Sequence, residues 1–212
     1  MAGAAPGRSR RWSRAGVPLA VVALAAALAG VLLAGEDDSD RPAGPRARAE
    51  PAPVAVASDA PRHATLAELV AATDVVVRAE VVATERGRLF GDPASGTAVE
   101  SRLVTLEVAE VVRGTGIEAG TTVLVEEEGW LPDGAPLVVD GAAPSAVGDD
   151  GLWFLVAGGD PAVDAFVVVN AQGRYLLSGP GGGLRGAAGD DPLVAELAAL
   201  PLPALEARIR AA

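Results

Sequence analysis

Residues Val17 to Ala34 read VPLAVVALAAALAGVLLA, with no charged side chain, and four arginines (Arg8, Arg10, Arg11, Arg14) precede them with no acid among them. No other stretch restricts the chain so tightly. A helix of this length spans about 27 Å, close to the roughly 30 Å of a bilayer's hydrocarbon core. Upstream arginines keep the N-terminus in the cytoplasm by the positive-inside rule. The sequence therefore predicts a basic cytoplasmic tail over 1–15, a transmembrane helix over 16–35, and everything later outside. The membrane is then a partner through residues 17–34. A cleaved signal peptide is the rival reading, since Ala27-Leu28-Ala29 before Gly30 fits a small-residue cleavage site, and the product would then be secreted. Against cleavage, Val31-Leu32-Leu33 continues the apolar run. Arg10-Arg11 suggests a twin-arginine signal, but Trp12-Ser13 lacks the apolar residues that should follow.

Charge divides the chain in the same way. Four of the 17 arginines lie before the apolar run, leaving 13 against 28 acids beyond it, a balance of −15. Such a surface repels phosphate backbones and excludes nucleic acid as an expected partner. Cysteine is absent, so disulfides, thiolate metal sites and thiol nucleophiles are excluded together. Lysine is absent too, which rules out a P-loop. Aromatic residues make up only 3% of the chain, so a core must be built from Val, Leu and Ala.

Residues 36–62 carry Pro42, Pro45, Pro51, Pro53 and Pro61 with few large apolar side chains. That composition predicts a disordered, extended linker, because it cannot bury enough surface to offset ordering entropy. The folded domain is then expected over 63–212. Thr65-Leu66-Ala67-Glu68 matches a capping box and opens a short helix ending near Thr73. Beyond it the apolar period changes to two. In DVVVRAEVVATE, Val75, Val77, Ala79, Val81 and Ala83 share one face, and Arg78, Glu80 and Thr84 the other. Arg102 to Val112 repeats the pattern, with Val104, Leu106 and Val108 inward and a slip at Ala109-Glu110 that predicts a β-bulge. Further strands are expected at Thr122 to Glu127, Leu137 to Val139, Leu152 to Val156, Phe166 to Val169 and Arg174 to Leu177. Asp191 before Pro192 caps a closing helix. The fold class is mainly β: a small five- to six-stranded antiparallel barrel, closed or half-open, with short flanking helices; an open sandwich is the alternative.

The succession DVVVRAEVVATE, TLEVAEVVRG, GTTVLVEEEG, VGDDGLWFL and VVVNAQGRY resembles the netrin/TIMP-like barrels of exported bacterial proteins, over residues 74–177. The resemblance implies an OB-type fold and an outward location in a bacterial envelope. The zinc-directed N-terminal cysteine of that family's protease inhibitors has no counterpart here, so their mechanism does not carry over.

Candidate chemistry centres on Glu126-Glu127-Glu128-Gly129-Trp130. Strand alternation sets Glu126 and Glu128 on one face, and Asp133, Asp140, Asp149 and Asp150 on later loops could converge on them to hold a cation or ligand. The candidate binding residues are Glu126, Glu128, Trp130 and Asp133; the plainer reading is a solvated strand end with Trp130 over the barrel rim. His63, the only histidine, sits at the linker junction with no catalytic partner motif. Gly181-Gly182-Gly183-Leu184-Arg185-Gly186 matches GxGxxG, but no βαβ unit surrounds it, and it reads as a flexible loop. Trp153 and Phe154 must point to opposite faces of one strand. No catalytic set, metal or cofactor is expected. The expected function is that of a membrane-anchored, non-catalytic binding module, with a carboxylate-based or cation-dependent hydrolase and a purely structural envelope protein as alternatives.

Overall fold

The computed structural model describes residues 51–212 apart from Gly159, Pro161, Ala162, Pro180, Gly181 and Gly182. The expected cytoplasmic tail and membrane segment lie outside the described residues. Among the described residues, no helix is long and apolar enough to cross a membrane.

The elements in chain order are β1 (Val54–Val56), α1 (Leu66–Ala71), β2 (Val75–Phe90), β3 (Val99–Gly114), β4 (Thr122–Trp130), β5 (Leu137–Val139), β6 (Asp150–Ala157), β7 (Phe166–Val168), β8 (Arg174–Ser178), β9 (Gly183–Gly186), α2 (Pro192–Ala198) and α3 (Leu202–Ala211). Strands β2, β3, β4, β7 and β6 hydrogen-bond in that order, and β6 closes back onto β2. The result is a five-stranded closed barrel. Its seam between β4 and β7 is parallel, through the pair Val125 and Phe166, which corrects the expectation of an all-antiparallel barrel. The reason is geometric: strand direction cannot alternate all the way round a closed ring with an odd number of strands.

Alternation fills the barrel as the sequence predicts up to Val81; past a register slip at Val82, Thr84 pairs with the inward Val104, so Ala83 and Thr84 exchange the faces expected of them. Val75, Val77, Ala79, Val81, Val104, Leu106, Val108, Val125, Trp153, Leu155 and Leu176 form its interior. The register of β2 on β3 skips Ala109, the site of the predicted bulge. It also skips Val82, which leaves that side chain 39% exposed. Bulges of this kind add twist and let long strands curl into a barrel.

A second core lies outside the barrel wall. Val76, Val112, Leu152 and Phe154 on the outer face of β2, β3 and β6 pack under Leu69 and Val70 of α1, Leu193, Val194 and Leu197 of α2, and Leu205 and Ile209 of α3. Trp153 and Phe154 thus divide between the two cores, and both are fully buried. Thr65 caps α1 by accepting from the Glu68 amide at 3.2 Å, and Asp191 caps α2 through the Leu193 and Val194 amides.

Two expectations need correction. The stretch Gly183–Gly186, read as a flexible loop, is a strand paired antiparallel with β8. Gly186 lies directly under α2, where an added Cβ would sit 1.9 Å from a Val194 methyl, so this glycine serves close helix–strand packing. The linker, predicted disordered to residue 62, is ordered over its last dozen residues. Within it, β1 runs parallel to β5, pairing Val54, Ala55 and Val56 with Leu137, Val138 and Val139. Composition misleads here because the segment is held mainly by polar groups rather than by buried apolar surface.

Candidate functional site

Three consecutive glutamates at the end of β4 go to three different environments. Val125 points into the barrel, so Glu126 and Glu128 face outward and Glu127 inward, as the alternation requires.

Glu126 is buried to 7% exposure and is held by a two-pronged bond from Arg88 of β2, with Nε donating to Oε1 at 3.0 Å and Nη2 to Oε2 at 2.8 Å. Arg88 also donates to Asp160 and lies 4.4 Å over the Phe90 ring. Its hydrogen bond to Glu126 raises its pKa. The planar guanidinium fork matches a carboxylate edge, which makes this one of the stronger kinds of ion pair.

Glu128 is exposed and lines a small recess between β1, β5 and the β2–β3 loop, walled by Val56, Ala98, Val99, Leu131 and Leu137. The cavity there is about 20 Å³, room for about one water. Burial pushes the Glu128 carboxyl above the ordinary range, and the charges of Glu127, Asp140 and Glu126 add to the effect. Because the residue as a whole remains exposed, this is the crowding of a recess rather than of an interior.

Asp133 does not join either group. It is exposed, and its Oδ1 accepts from the Ala135 amide at 3.0 Å within the β4–β5 turn. The predicted set of Glu126, Glu128, Trp130 and Asp133 is therefore not gathered into one site. Among the described residues no three His, Asp or Glu side chains are placed to hold a metal ion.

The most organised polar group is one that sequence reasoning missed. Glu127 projects toward the barrel's end and meets Arg102 at 3.6 Å and Arg174 at 3.5 Å. Ser145, on the β5–β6 loop, donates to the same carboxylate from its backbone amide at 2.9 Å and its hydroxyl at 2.8 Å. Arg102 donates to the Ser145 carbonyl at 3.0 Å, and Arg174 donates to the Ser145 hydroxyl and the Ala143 carbonyl. All three charged side chains are at most 13% exposed. Desolvation lowers the pKa of both arginines, against the stabilising charge of Glu127. Two guanidinium groups thus share one carboxylate, and the Nε atoms of both arginines lack a hydrogen-bond partner among the described residues.

Trp130 completes this end of the barrel. The guanidinium groups of Arg102 and Arg86 both lie over its half-buried ring, at 4.2 Å and 4.7 Å. Arg174 lies 5.6 Å over Trp153, the aromatic floor of the interior. One signal for the cluster was present in the sequence: Arg102 and Glu127 occupy inward positions in strands whose other inward residues are apolar. A charge on an apolar face implies a buried partner, but alternation alone could not identify it as Arg174.

His63 contributes its backbone. Its amide donates to Gln172 Oε1 at 2.8 Å, and its carbonyl accepts from Gln172 Nε2 at 2.9 Å. Gln172 is itself buried and donates to Asp191 at 3.0 Å.

No known family model matches the sequence, and no curated protein is detectably similar to it.

Proposed function

We propose that the chain is a membrane-anchored, extracytoplasmic binding or interaction module of a bacterial envelope, built on an OB-type barrel and without catalytic activity of its own. The strand order β2-β3-β4-β7-β6, closing on β2 with a parallel β4–β7 seam, supports the OB-type reading and the likeness to netrin/TIMP-like domains. In such barrels the outer face of the second and third strands, flanked by two loops, is the usual contact surface. Here that face is β3 and β4, with Arg88, Glu126 and Asp160 linked across its edge. Its acidic character disfavours nucleic acid.

One observation carries the non-catalytic reading. The most buried carboxylates of the β4 end are neutralised by arginines, Glu126 by Arg88 and Glu127 by Arg102 and Arg174. A general acid or base needs a carboxyl poised to exchange its proton with substrate, and these two are committed to ion pairs. The hydrolase alternative required Glu126 or Glu128 to share a cleft with loop acids; Asp133 is turned to its own backbone, and Asp140, whose charge reaches Glu128, is engaged by Ser58 and Arg62.

Two measurements test the proposal. Protease added outside intact spheroplasts should degrade residues 51–212 of the full chain; protection of that region overturns the outward topology. Crosslinking of the full chain in its native envelope should yield a partner that the Trp130→Ala/Arg86→Ala variant loses while its barrel stays folded. Equal capture by the variant and by residues 1–62 alone overturns the binding role and leaves the purely structural alternative.

A further inference from the structure

Residues 51–63 cross the outside of the barrel as a strap, and four of its hooks meet at Asp140. The Asp140 amide donates to the Val56 carbonyl at 2.9 Å. Its carboxylate accepts from the Ser58 amide at 3.2 Å and the Ser58 hydroxyl at 2.7 Å, and it lies 3.5 Å from Arg62. Arg62 reaches on to Asp191 at 3.1 Å.

Asp140 is also the first residue of the turn that starts the β5–β6 loop. Asp140 and Gly141 both have positive φ, at 50° and 80°, and Val139 and Ala142 exchange two backbone hydrogen bonds across them. Asp-Gly is a favoured pair for a turn with two left-handed residues, so this joint is stiff rather than loose. Two residues beyond the turn, Ala143 and Ser145 meet Arg174, Arg102 and Glu127. The far end of the loop is tied to the barrel wall, with the Val81 amide donating to the Asp149 carbonyl at 2.8 Å.

We infer that the strap and the β5–β6 loop form one coupled latch, in which docking of residues 51–63 on Asp140 holds the loop closed over the Arg102–Glu127–Arg174 end of the barrel. The strap fixes the Asp140 carboxylate, the stiff turn carries that position to Ala142, and the loop delivers Ser145 to Glu127. Lifting the strap removes every side-chain hook on Asp140 described above, so the loop's near end is then held only by the turn and by the bonds of Ala143 and Ser145 to Arg174, Arg102 and Glu127. The coupling is reciprocal, because a free energy shared between two sites acts equally in both directions. A partner that competes for the strap would thereby change access to the two buried guanidinium groups and the Trp130 face.

Hydrogen exchange on the full chain in detergent tests the latch. The Ser145 amide, bonded to Glu127, reports the loop; the Val54 amide, bonded to the Pro136 carbonyl, reports the strap; Leu106 and Val108 report the barrel. In Ser58→Ala/Arg62→Ala, exchange at Ser145 should rise about tenfold, a typical coupling between sites, with the barrel amides unchanged. Glu127→Gln should in turn speed exchange at Val54. The chain has no cysteine, so Ala55→Cys/Val138→Cys at paired positions of β1 and β5 introduces one unique disulfide. Oxidising it should slow exchange at Ser145 relative to the reduced form, a readout that stands even if the double-alanine variant misfolds. Faster Val54 exchange with unchanged Ser145, or an oxidised form identical to the reduced one at Ser145, overturns the inference.

Discussion

The strap and the barrel wall lie side by side and are held by opposite means. The barrel interior is Val, Leu, Ala and one tryptophan, almost all fully buried. The strap buries no side chain completely; Val54 and Val56 are half-covered, and its hold comes from Ser58, Pro61, Arg62 and His63 bonded to Asp140, Asn170, Gln172 and Asp191. Apolar burial is non-directional and adds with area, whereas a hydrogen bond nets only about 1 kcal/mol and needs its geometry. The barrel should therefore unfold as a unit, while the strap opens locally without it.

Mutations at graded depth would break or sharpen that contrast. Trp153→Ala removes the largest interior side chain and should cost about 3–5 kcal/mol in chemical denaturation, moving strap and barrel transitions together. A loss below about 1 kcal/mol would mean that the interior is not what holds the barrel. Glu127→Ala leaves two buried guanidinium groups facing each other. Because the three side chains keep about a tenth of their surface in water, the expected cost is about 2–4 kcal/mol, somewhat below a fully buried pair.

Asp191 joins the two regions, since it caps α2 and also receives Gln172 and the strap's Arg62. Burial alone would raise its carboxyl, but the bonds from Gln172, Val194, Leu193 and Arg62 outweigh it and hold the folded pKa below the ordinary value. Its stabilising contribution is thus complete above the unfolded carboxylate pKa, about 4, and is lost as pH falls through the lower folded value. Asp191→Asn should flatten the acid limb of the stability profile below about pH 4, and Asp191→Ala should cost about 1–2 kcal/mol at neutral pH. An unchanged acid limb would show that this carboxylate is not a linkage point.

Smaller effects follow on either side. Ser58→Ala should lower global stability by no more than about 0.5–1 kcal/mol, with its main effect on strap amide exchange. On the outer wall, Glu80 lies directly across from Glu107 on one side and Asp150 on the other. Three acids in one cross-strand row repel, so Glu80→Thr should stabilise by about 0.5 kcal/mol, read as a rise in melting temperature. A loss instead would imply that the row is bridged in solution.

The barrel was legible because its information is local. Val104, Leu106 and Val108 announce an inward face by period alone, and the slip at Ala109 marks the bulge before any partner strand is known. The helix caps at Thr65 and Asp191 read equally well, since each bonds amides two or three residues away. The candidate site was legible only in part. The outward pairing of Glu126 with Glu128 followed from alternation, but the partners that separate them did not. Arg88, Arg174 and Ser145 come from three other elements.

By itself, the sequence determined the inward faces of Val75–Val81 and Val104–Val108, the bulge at Ala109 and the caps of α1 and α2, because those properties depend on periods of two and on neighbours within a turn; the slip at Val82 came only with the partner strand. Only the tertiary structure decided that Pro51 to His63 is a docked strap rather than free linker, that Gly183–Gly186 is a strand, and that Glu127 closes the barrel end with two arginines. Those outcomes rest on bonds between groups 82, 109 and 129 residues apart for Ser58–Asp140, His63–Gln172 and Arg62–Asp191. No local period encodes such a pairing; it exists once the closed ring of strands has brought the groups within reach.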